Sequence, residues 1–343
     1  MKYKKLFICI LCLFVMLLMI LNTERIIVSV KNSLILCSSS LIPSVFPFLV
    51  VSSIFVNYSE KRFFNPFSMI LKFLFGTSSV SCAALLPGMI CGYPIGASCT
   101  CELYKNHLIS KSESESLIAF SNNSGPLFIV GTIGIGLLNS AKKGIMLYAI
   151  HILSAIICGI LLKPFTKPCK NTMQIMTKSA SKKITDCIGD ATVTILKICG
   201  FVVVFAVIIE LISPITSLMP KYLSCLVSSF LELTNASFEI TEHIENERMC
   251  LVLLSGTLGW SGLSVHMQVK SILGNLDLSL KKYYLSKLFS SIISMVMSYF
   301  IFYEKSIINF GLNLYISIFV MIIIFYLTVR NMKSKFILKH KKG

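Results

Sequence analysis

Long apolar blocks dominate this chain, and one of them carries a polar interruption near its centre. Residues 117–138 are mostly apolar apart from the run Ser121-Asn122-Asn123-Ser124-Gly125-Pro126. Unsatisfied polar groups are costly in hydrocarbon, so such a run is tolerated only where it is packed in protein or lines a water-filled cavity. The pattern predicts a helix broken at mid-membrane depth, as in transporters of small polar solutes. The alternative is a proline kink with Ser and Asn packed between helices.

Eight segments are long and apolar enough to cross a membrane as helices. They are residues 6–21, 34–56, 117–138, 144–162, 184–213, 249–272, 284–303 and 309–329. Two further apolar stretches, 67–101 and 222–238, are interrupted by polar residues or by Gly and Pro, which favours re-entrant hairpins over lipid-facing helices. The sequence therefore predicts an all-α polytopic membrane protein with about eight transmembrane helices plus two re-entrant hairpins.

Composition supports the membrane class. Of 343 residues, 55% are hydrophobic and 14% are charged, and the mean hydropathy is +0.80. Soluble domains contain about 25% charged residues. The formal net charge is +17, but the Lys residues lie mostly in loops and tails, which indicates positive-inside determinants and no nucleic-acid binding. The 13 cysteines lack metal-site spacing and act as small hydrophobes, so we expect no cofactor and no metal.

Basic clusters orient the predicted helices. The N-terminal tail, the 163–183 loop and the tail after residue 330 are rich in Lys. With eight spans and two hairpins that return to their own side, all three clusters fall on one side, which the positive-inside rule makes cytoplasmic. The acidic loop at 239–247 falls outside. We therefore expect an integral protein of the cell membrane with cytoplasmic N- and C-termini.

The same layout contains an internal repeat. Residues 34–162 read as helix, hairpin, broken helix and helix, and residues 184–303 read in the same order from the opposite side of the membrane. Two inverted repeats with discontinuous helices are the architecture of secondary transporters. The rest of this single transmembrane domain comprises an N-terminal anchor helix and loop (1–33), a basic loop (163–183), and a last helix with a basic tail (304–343).

Two alignments of the repeats stay open. One pairs hairpin with hairpin and helix break with helix break. The other pairs Leu85-Leu86-Pro87-Gly88 with Leu253-Leu254-Ser255-Gly256.

Candidate substrate-binding residues lie at the interruptions in the apolar segments. They offer amides, hydroxyls or a close approach of the backbone to a solute. They are Asn122, Asn123, Ser124 and Gly125 in the first break, Gly92, Pro94 and Gly96 in the first hairpin, Thr234 and Asn235 in the second hairpin, and Ser261 in the second break. For Gly92, Pro94 and Gly96, the alternative is a purely structural hairpin tip.

Two charged residues lie inside apolar segments. Glu232 is a candidate for binding a coupling cation or carrying a proton, and its alternative is an interfacial carboxylate at the hairpin mouth. Lys197 lies two helical turns from Asp190, so both share a face that would line the pathway and attract an anion. Snorkelling of Lys197 or its pairing with Asp190 is the alternative.

Enzyme signatures are missing from the sequence. It contains no P-loop, nucleophile elbow, H-E-x-x-H motif or dinucleotide fingerprint. We therefore expect a protein that is not an enzyme, with a small-molecule substrate and membrane lipid as its partners. Homo-oligomerisation is left open by the sequence.

Three motifs together resemble a known family. They are Pro43-Ser44-Val45-Phe46-Pro47-Phe48, Gly88-x-x-Cys91-Gly92-Tyr93-Pro94-Ile95-Gly96-Ala97, and the run from Phe120 through Pro126 to Gly134. Over about residues 34–330 the chain resembles the sporulation integral membrane proteins of the YlbJ type, which carry the nucleoside-recognition or Gate domain. The resemblance implies a protein of endospore formers, made in the mother cell, that moves dipicolinic acid across the outer forespore membrane. The alternatives are a nucleoside or ion transporter of the Gate group and a non-transporting protein needed for spore assembly.

Overall fold

Helices are the only regular elements in the described part of the chain. The computed structural model describes residues 2–58, 64–167 and 183–303, and these contain no strand. The all-α class predicted from the sequence is confirmed for these residues. The predicted span at 309–329 and most of the 163–183 loop lie outside the described residues.

The first half of the chain is divided into many short helices, because Gly, Pro and polar residues interrupt its apolar stretches. The helices are α1 (Lys2–Leu21), α2 (Thr23–Leu36), α3 (Ile42–Tyr58), α4 (Ser68–Phe75), α5 (Cys82–Ile90), α6 (Ile95–Lys105), α7 (Lys111–Ser121) and α8 (Ala141–Leu162). Two π-helical segments, Cys37–Leu41 and Leu127–Leu137, lie between α2 and α3 and between α7 and α8.

The helices of the second half differ widely in length. They are α9 (Ile184–Thr216), α10 (Lys221–Leu231), α11 (Leu233–His243), α12 (Glu247–Trp260), α13 (Gly262–Leu273) and α14 (Lys281–Tyr303). In both halves a long helix is followed by a helix hairpin, an interrupted helix and another long helix. These are α3, α5–α6, α7 with its π-helical segment, and α8, and then α9, α10–α11, α12–α13 and α14. This order agrees with the predicted repeat, whose inverted symmetry stays a prediction.

The number of spans differs from the prediction. Among the described residues, four stretches are long and apolar enough to cross a membrane singly, namely Ala141–Phe165, Ile184–Thr216, Glu247–Leu273 and Lys281–Phe302. The count rises to six if two bent helix pairs each form one span, the first bent by 93° around residue 22 and the second by 94° between α4 and α5. Eight spans are therefore not confirmed within the described residues.

The predicted helix 34–56 begins earlier than its apolar pattern indicates. In the structure α2 starts at Thr23 and continues through the π-helical segment Cys37–Leu41 into α3. The hydropathy pattern misses α2 because several of its residues are polar. Glu24, Arg25 and other polar residues of α2 line a cavity, so they do not interrupt the helix as lipid-facing polar residues would.

Contacts between loop ends agree with the predicted layout. Lys111 pairs with Asp277 at 2.6 Å, and Lys282 donates to the carbonyl oxygen of Phe165 at 3.1 Å. All four residues belong to loops predicted to share the cytoplasmic side. Lys143 pairs with Glu247, and both belong to loops predicted to lie outside. Which side of the membrane each end faces stays a prediction from the distribution of Lys and Arg.

A stripe of buried serines holds α14 against its neighbours. Ser290 bonds to Ser154 of α8 at 2.8 Å, and Ser294 donates to the carbonyl of Ser255 in α12 at 2.7 Å. Small residues let helix backbones approach closely in membranes, where interhelical hydrogen bonds replace the hydrophobic effect as a driving force. This packing fixes the position of α14. It also fixes Lys287, which lies on the same helix between Ser286 and Ser290.

Candidate functional site

The first helix break lies where the sequence predicts it. Helix α7 ends at Ser121, and the π-helical segment begins at Leu127. A helix end leaves its last carbonyls without backbone partners, and here side chains replace the missing donors. Ser286 donates to the Ala119 carbonyl at 2.9 Å, and Asn123 Nδ2 donates to the Phe120 carbonyl at 2.8 Å.

Two buried basic side chains hold the residues between these helices. Lys287 Nζ donates to the carbonyl oxygen of Asn122 and, at 3.4 Å, to Oδ1 of Asn123. The backbone N–H of Ser124 donates to Nε2 of His151 in α8 at 3.0 Å. Asn122, Asn123 and Ser124 are all buried. The break is therefore a fixed structure in which neighbouring helices satisfy most of the freed backbone groups.

Glycines allow the first hairpin to pack against the break. A Cβ atom on Gly88 or Gly96 would lie 2.0 or 2.3 Å from the carbonyl oxygen of Ser121. Gly92, at the turn between α5 and α6, has a φ of +93°, and a Cβ there would lie 2.8 Å from the backbone nitrogen of Gly125. The hairpin motif at residues 88–97 and the break at residues 121–126 therefore form one closely packed unit, since only glycine permits these approaches.

The second half repeats this arrangement. Glu232 separates α10 from α11, and its carboxylate accepts a hydrogen bond from the backbone N–H of Asn235 at 2.7 Å, which caps α11. Gly262, which follows the break at Ser261, has a φ of +77°, and a Cβ there would lie 2.9 Å from the backbone nitrogen of Leu233. In each half, the hairpin tip packs on the helix break of the same half. This parallel favours the alignment of hairpin with hairpin and break with break.

Tyr93 connects the two halves. This residue lies at the tip of the first hairpin, and its hydroxyl donates to the carbonyl of Leu258 at 3.2 Å and also bonds to the hydroxyl of Ser261. Both partners belong to the second helix break. The first hairpin therefore contacts both breaks.

A cavity of about 660 Å³ lies beside these elements. Its walls come from both hairpins, from the first break and π-helical segment, from α13 after the second break, and from the helices at 37–58 and 184–216. Its lining residues include Gly92, Tyr93, Ser124, Gly125, Gly131 and Thr234. The volume suits a small molecule, since ligand pockets are about 300–1,000 Å³.

A second cavity of about 880 Å³ adjoins the first and shares Ser39 and Phe238 with it. Its lining is rich in carboxylates, which come from Glu24, Glu210, Glu239 and Glu242. Arg25 forms an ion pair with Glu210 in this wall at 3.2 Å. The second cavity thus forms an acidic vestibule next to the smaller cavity.

The structure places the predicted site residues in four kinds of surroundings. Four line the smaller cavity, namely Ser124, Gly125, Gly92 and Thr234, and Asn235 lines the acidic vestibule. Asn122, Asn123, Gly96 and Ser261 are buried in the packing between hairpin and break, as is Glu232 at the second hairpin tip. Pro94 follows a cis peptide bond at the first hairpin turn. Substrate binding by these residues stays a prediction.

The structure places Lys197 away from both cavities, and its predicted role in attracting an anion stays a prediction. Its side chain is exposed on the outer surface of α9 and lines neither cavity. The cavity wall is formed by Ile198 and Val202 of the same helix. Each residue advances about 100° around a helix, so a shift of one position moves a side chain from the cavity to the surface. Asp190 shares the exposed face.

Lys287 and His151 bond to the break, and Tyr283 lies against Lys287. The sequence did not indicate these three as site residues, and it indicated Tyr93 only as part of the hairpin motif. Lys287 lies near the start of an apolar segment and reads as a residue at the membrane interface. Its signal is the spacing of Ser286, Ser290, Ser294 and Ser298, which marks one packed helix face. Among the described residues, no three His, Cys, Asp or Glu side chains are arranged to hold a metal ion.

Substitutions of Glu232 separate a capping role from a charge role. We expect Glu232→Ala to lower the free energy of unfolding by about 1 kcal/mol, the usual effect of losing an N-cap acceptor. Glu232→Gln keeps an oxygen acceptor for the Asn235 N–H, so we expect most of that stability to remain. Thermal unfolding of both variants in detergent measures the difference. Equal loss of stability in both variants would instead indicate that the carboxylate charge is needed for the cap.

Comparison with known proteins identifies a curated relative. The chain is similar to the sporulation integral membrane protein YlbJ of Bacillus subtilis (strain 168), with 26% identity over 296 residues. The match covers 74% of this chain and 72% of the relative. No family model matches the chain, and no solved structure matches it. The resemblance predicted from the three motifs is thereby confirmed, while the Gate-domain assignment stays a prediction.

Proposed function

We propose that this chain, a homologue of the YlbJ-type sporulation integral membrane proteins, transports dipicolinic acid from the mother cell across the outer forespore membrane. The observation that carries the proposal is the cavity of about 660 Å³, lined by both hairpins and by the first helix break. Discontinuous helices around a central cavity are the way in which secondary transporters bind solutes. The family resemblance supplies the identity of the solute.

The chemistry of the cavity suits dipicolinate, a small, planar, aromatic dianion. Tyr93 and Phe128 offer aromatic faces for the pyridine ring. Hydroxyl groups of Ser124 and Thr234 and the amide of Gln268 offer hydrogen-bond donors to the two carboxylates. Lys287, whose ammonium lies 5.3 Å from the centre of the Tyr93 ring, places a positive charge behind the cavity wall. Lys287 therefore favours an anion in this cavity over a neutral solute of the same size, whereas the carboxylates of the adjoining acidic vestibule act against an anion.

Release on the other side requires the cavity to open alternately. In the proposed mechanism, one repeat moves against the other, and each closely packed pair of hairpin and break moves as a unit. The Tyr93 contacts to the second break lie between the two units and break or re-form in the cycle. With the predicted orientation, both termini face the mother-cell cytoplasm.

The direct test is uptake by the purified full chain in liposomes, with dipicolinate, uridine and monovalent cations as separate solutes. We expect dipicolinate to accumulate at least about tenfold faster than uridine, a difference of about 1.4 kcal/mol in the barrier. Preference for uridine or for an inorganic cation would favour the Gate-group alternatives. Spores of the organism that encodes this chain provide a second test, because deletion of the gene should leave them depleted of dipicolinate. Normal dipicolinate in these spores would refute the proposal.

The assembly alternative makes a different prediction. A non-transporting protein would be needed for spore formation but would show no uptake of any solute in liposomes. Its variants with a blocked cavity would also support normal spores, provided that they reach the membrane in normal amounts.

A further inference from the structure

Lys287 is a basic side chain buried in the middle of the protein, with 1% of its surface exposed. Its ammonium donates to the Asn122 carbonyl and to Asn123 Oδ1 at 3.4 Å, and the ring centres of Tyr93 and Tyr283 lie 5.3 and 5.9 Å away. Two oxygens and two aromatic faces therefore surround the charge. This is a set of groups that binds a monovalent cation.

A counter-ion for Lys287 is missing from the described part of the chain. Lys111, Lys143 and Lys282 approach the carboxylates of Asp277, Glu247 and Glu115 at the ends of the helix bundle. Among the described residues, Lys287 instead has only neutral partners. A buried charge without a paired charge is strongly unfavourable unless dipoles replace its hydration. The groups at the break must therefore supply that compensation.

The break supplies it through its backbone. In an uninterrupted helix, the Asn122 carbonyl would accept from the N–H of residue 126, but that residue is Pro126 and has no N–H. The oxygen also lies at the C-terminus of α7, where the helix dipole is negative. Lys287 thus occupies the place where a missing hydrogen-bond donor and a negative dipole end coincide.

Such places are where secondary transporters bind their coupling ions, because unwound carbonyls and the C-terminal ends of half-helices coordinate Na⁺. In the second half, the equivalent helix end is the C-terminus of α12, and its carbonyl groups also have side-chain partners. Tyr93 donates to the Leu258 carbonyl at 3.2 Å, and His266 Nε2 bonds to the Trp260 carbonyl at 2.9 Å. Within the described residues, both half-helix ends are thus already bonded by the protein's own side chains.

We propose that the Lys287 ammonium is the resident cation of the first helix break, tethered where a free coupling cation would otherwise bind, so that transport is independent of Na⁺. The inference rests on the proposed transport function for its uptake readout. Its stability readout is independent of that function. In Lys287→Ala the tethered cation is lost, and the cavity left behind is lined by an unpaired carbonyl and an amide oxygen that accept a small alkylammonium ion.

The first experiment measures thermal unfolding of the full chain in detergent. We expect Lys287→Ala to lower the Tm by about 5 °C or more, and n-propylammonium at millimolar concentration to restore at least half of that shift. Tetramethylammonium, which has no N–H donor, should restore nothing. The matched control is Lys282→Ala, five residues earlier in α14 and 22% exposed, whose Tm should not respond to propylammonium. An unchanged Tm in Lys287→Ala, or equal rescue by both ions, would overturn the proposal.

The second experiment measures dipicolinate uptake by the wild-type protein with Na⁺ replaced by choline. We expect the rate to change less than twofold, and Lys287→Met, which fills the same space without charge, to reduce uptake at least tenfold. Dependence of the wild-type rate on Na⁺ would refute the resident cation. A further outcome is that propylammonium restores the Tm of Lys287→Ala while the wild type takes up no dipicolinate. That outcome would support the resident cation and refute the proposed substrate. If Lys287→Ala does not fold, Lys287→Met and the choline exchange still decide the proposal.

Discussion

Gly131→Trp is expected to stop dipicolinate uptake while the protein stays folded. Gly131 lies on the π-helical segment and lines the cavity of about 660 Å³. A Cβ atom built there meets no heavy atom within 4 Å, so a large side chain is accommodated by filling the cavity and not by displacing its walls. The indole would occupy the space that the solute needs. We expect uptake into liposomes to fall to below about a tenth of the wild-type rate, a loss of at least 1.4 kcal/mol.

The matched control for this variant is Gly200→Trp. Gly200 also has open space around its Cβ position, but it is exposed on α9 and lines neither cavity. Gly200→Trp should therefore transport like the wild type and unfold at a similar temperature. If both variants transported normally, the cavity would not be the pathway. If only Gly131→Trp failed, at a normal level of folded protein, the cavity would be assigned to transport.

Gly96→Ala is expected to destabilise the protein strongly. Its added Cβ would lie 2.3 Å from the Ser121 carbonyl oxygen and 3.0 Å from Asn122 Cα. Both are backbone atoms, so relief requires the hairpin to move away from the break. Overpacking of a well-packed core costs about 1–3 kcal/mol, and more where the backbone must shift. We expect a loss of about 3 kcal/mol, measured as a fall in the Tm and in the yield of monodisperse protein.

Gly189→Ala is the control for this prediction. Gly189 lies in α9, and nothing is found within 4 Å of its Cβ position. Alanine should leave stability unchanged or raise it by up to about 1 kcal/mol, since it favours a helix over glycine. If Gly96→Ala were as stable as Gly189→Ala, the close approach of the first hairpin to the break would be wrong, and with it the joint movement of hairpin and break in the proposed mechanism.

The structure gives the first break a more specific role than the sequence suggested. Asn122 and Asn123 were predicted to bind the solute directly, whereas their side chains are buried behind the cavity, with Asn123 Oδ1 facing Lys287. They connect the cavity wall at Ser124 to the charge on α14. An effect of Asn123→Ala on transport would therefore reflect a change in the break and its cation. A variant of Ser124, which lines the cavity, reports more directly on solute contact.

Some features were predictable because they depend on local sequence. Hydropathy identified the membrane class, and Asn, Gly and Pro within an apolar segment located the break between Ser121 and Leu127. Glu232 is likewise a polar residue within an apolar stretch, and it marks the turn of the second hairpin between α10 and α11. Boundaries were less accurate where a helix is polar on one side. Helix α2 was read as a loop because its polar residues face the acidic vestibule, and hydropathy alone does not distinguish a cavity from bulk water.

The sequence by itself determined the all-helical class, the hairpins and the first break, because helix propensity and hydropathy act over a few neighbouring residues. The tertiary structure alone decided which groups meet at the break. Lys287 lies 165 residues from Asn122 along the chain, and the packing of the α14 serines brings the two together. Lys197 faces outward for a similar reason, since the rotation of α9 against its neighbours is set by contacts with distant helices. Hydrophobic periodicity indicates that a segment is helical. Contacts with residues distant in sequence decide which face of that helix meets the cavity, a neighbouring helix or the outer surface.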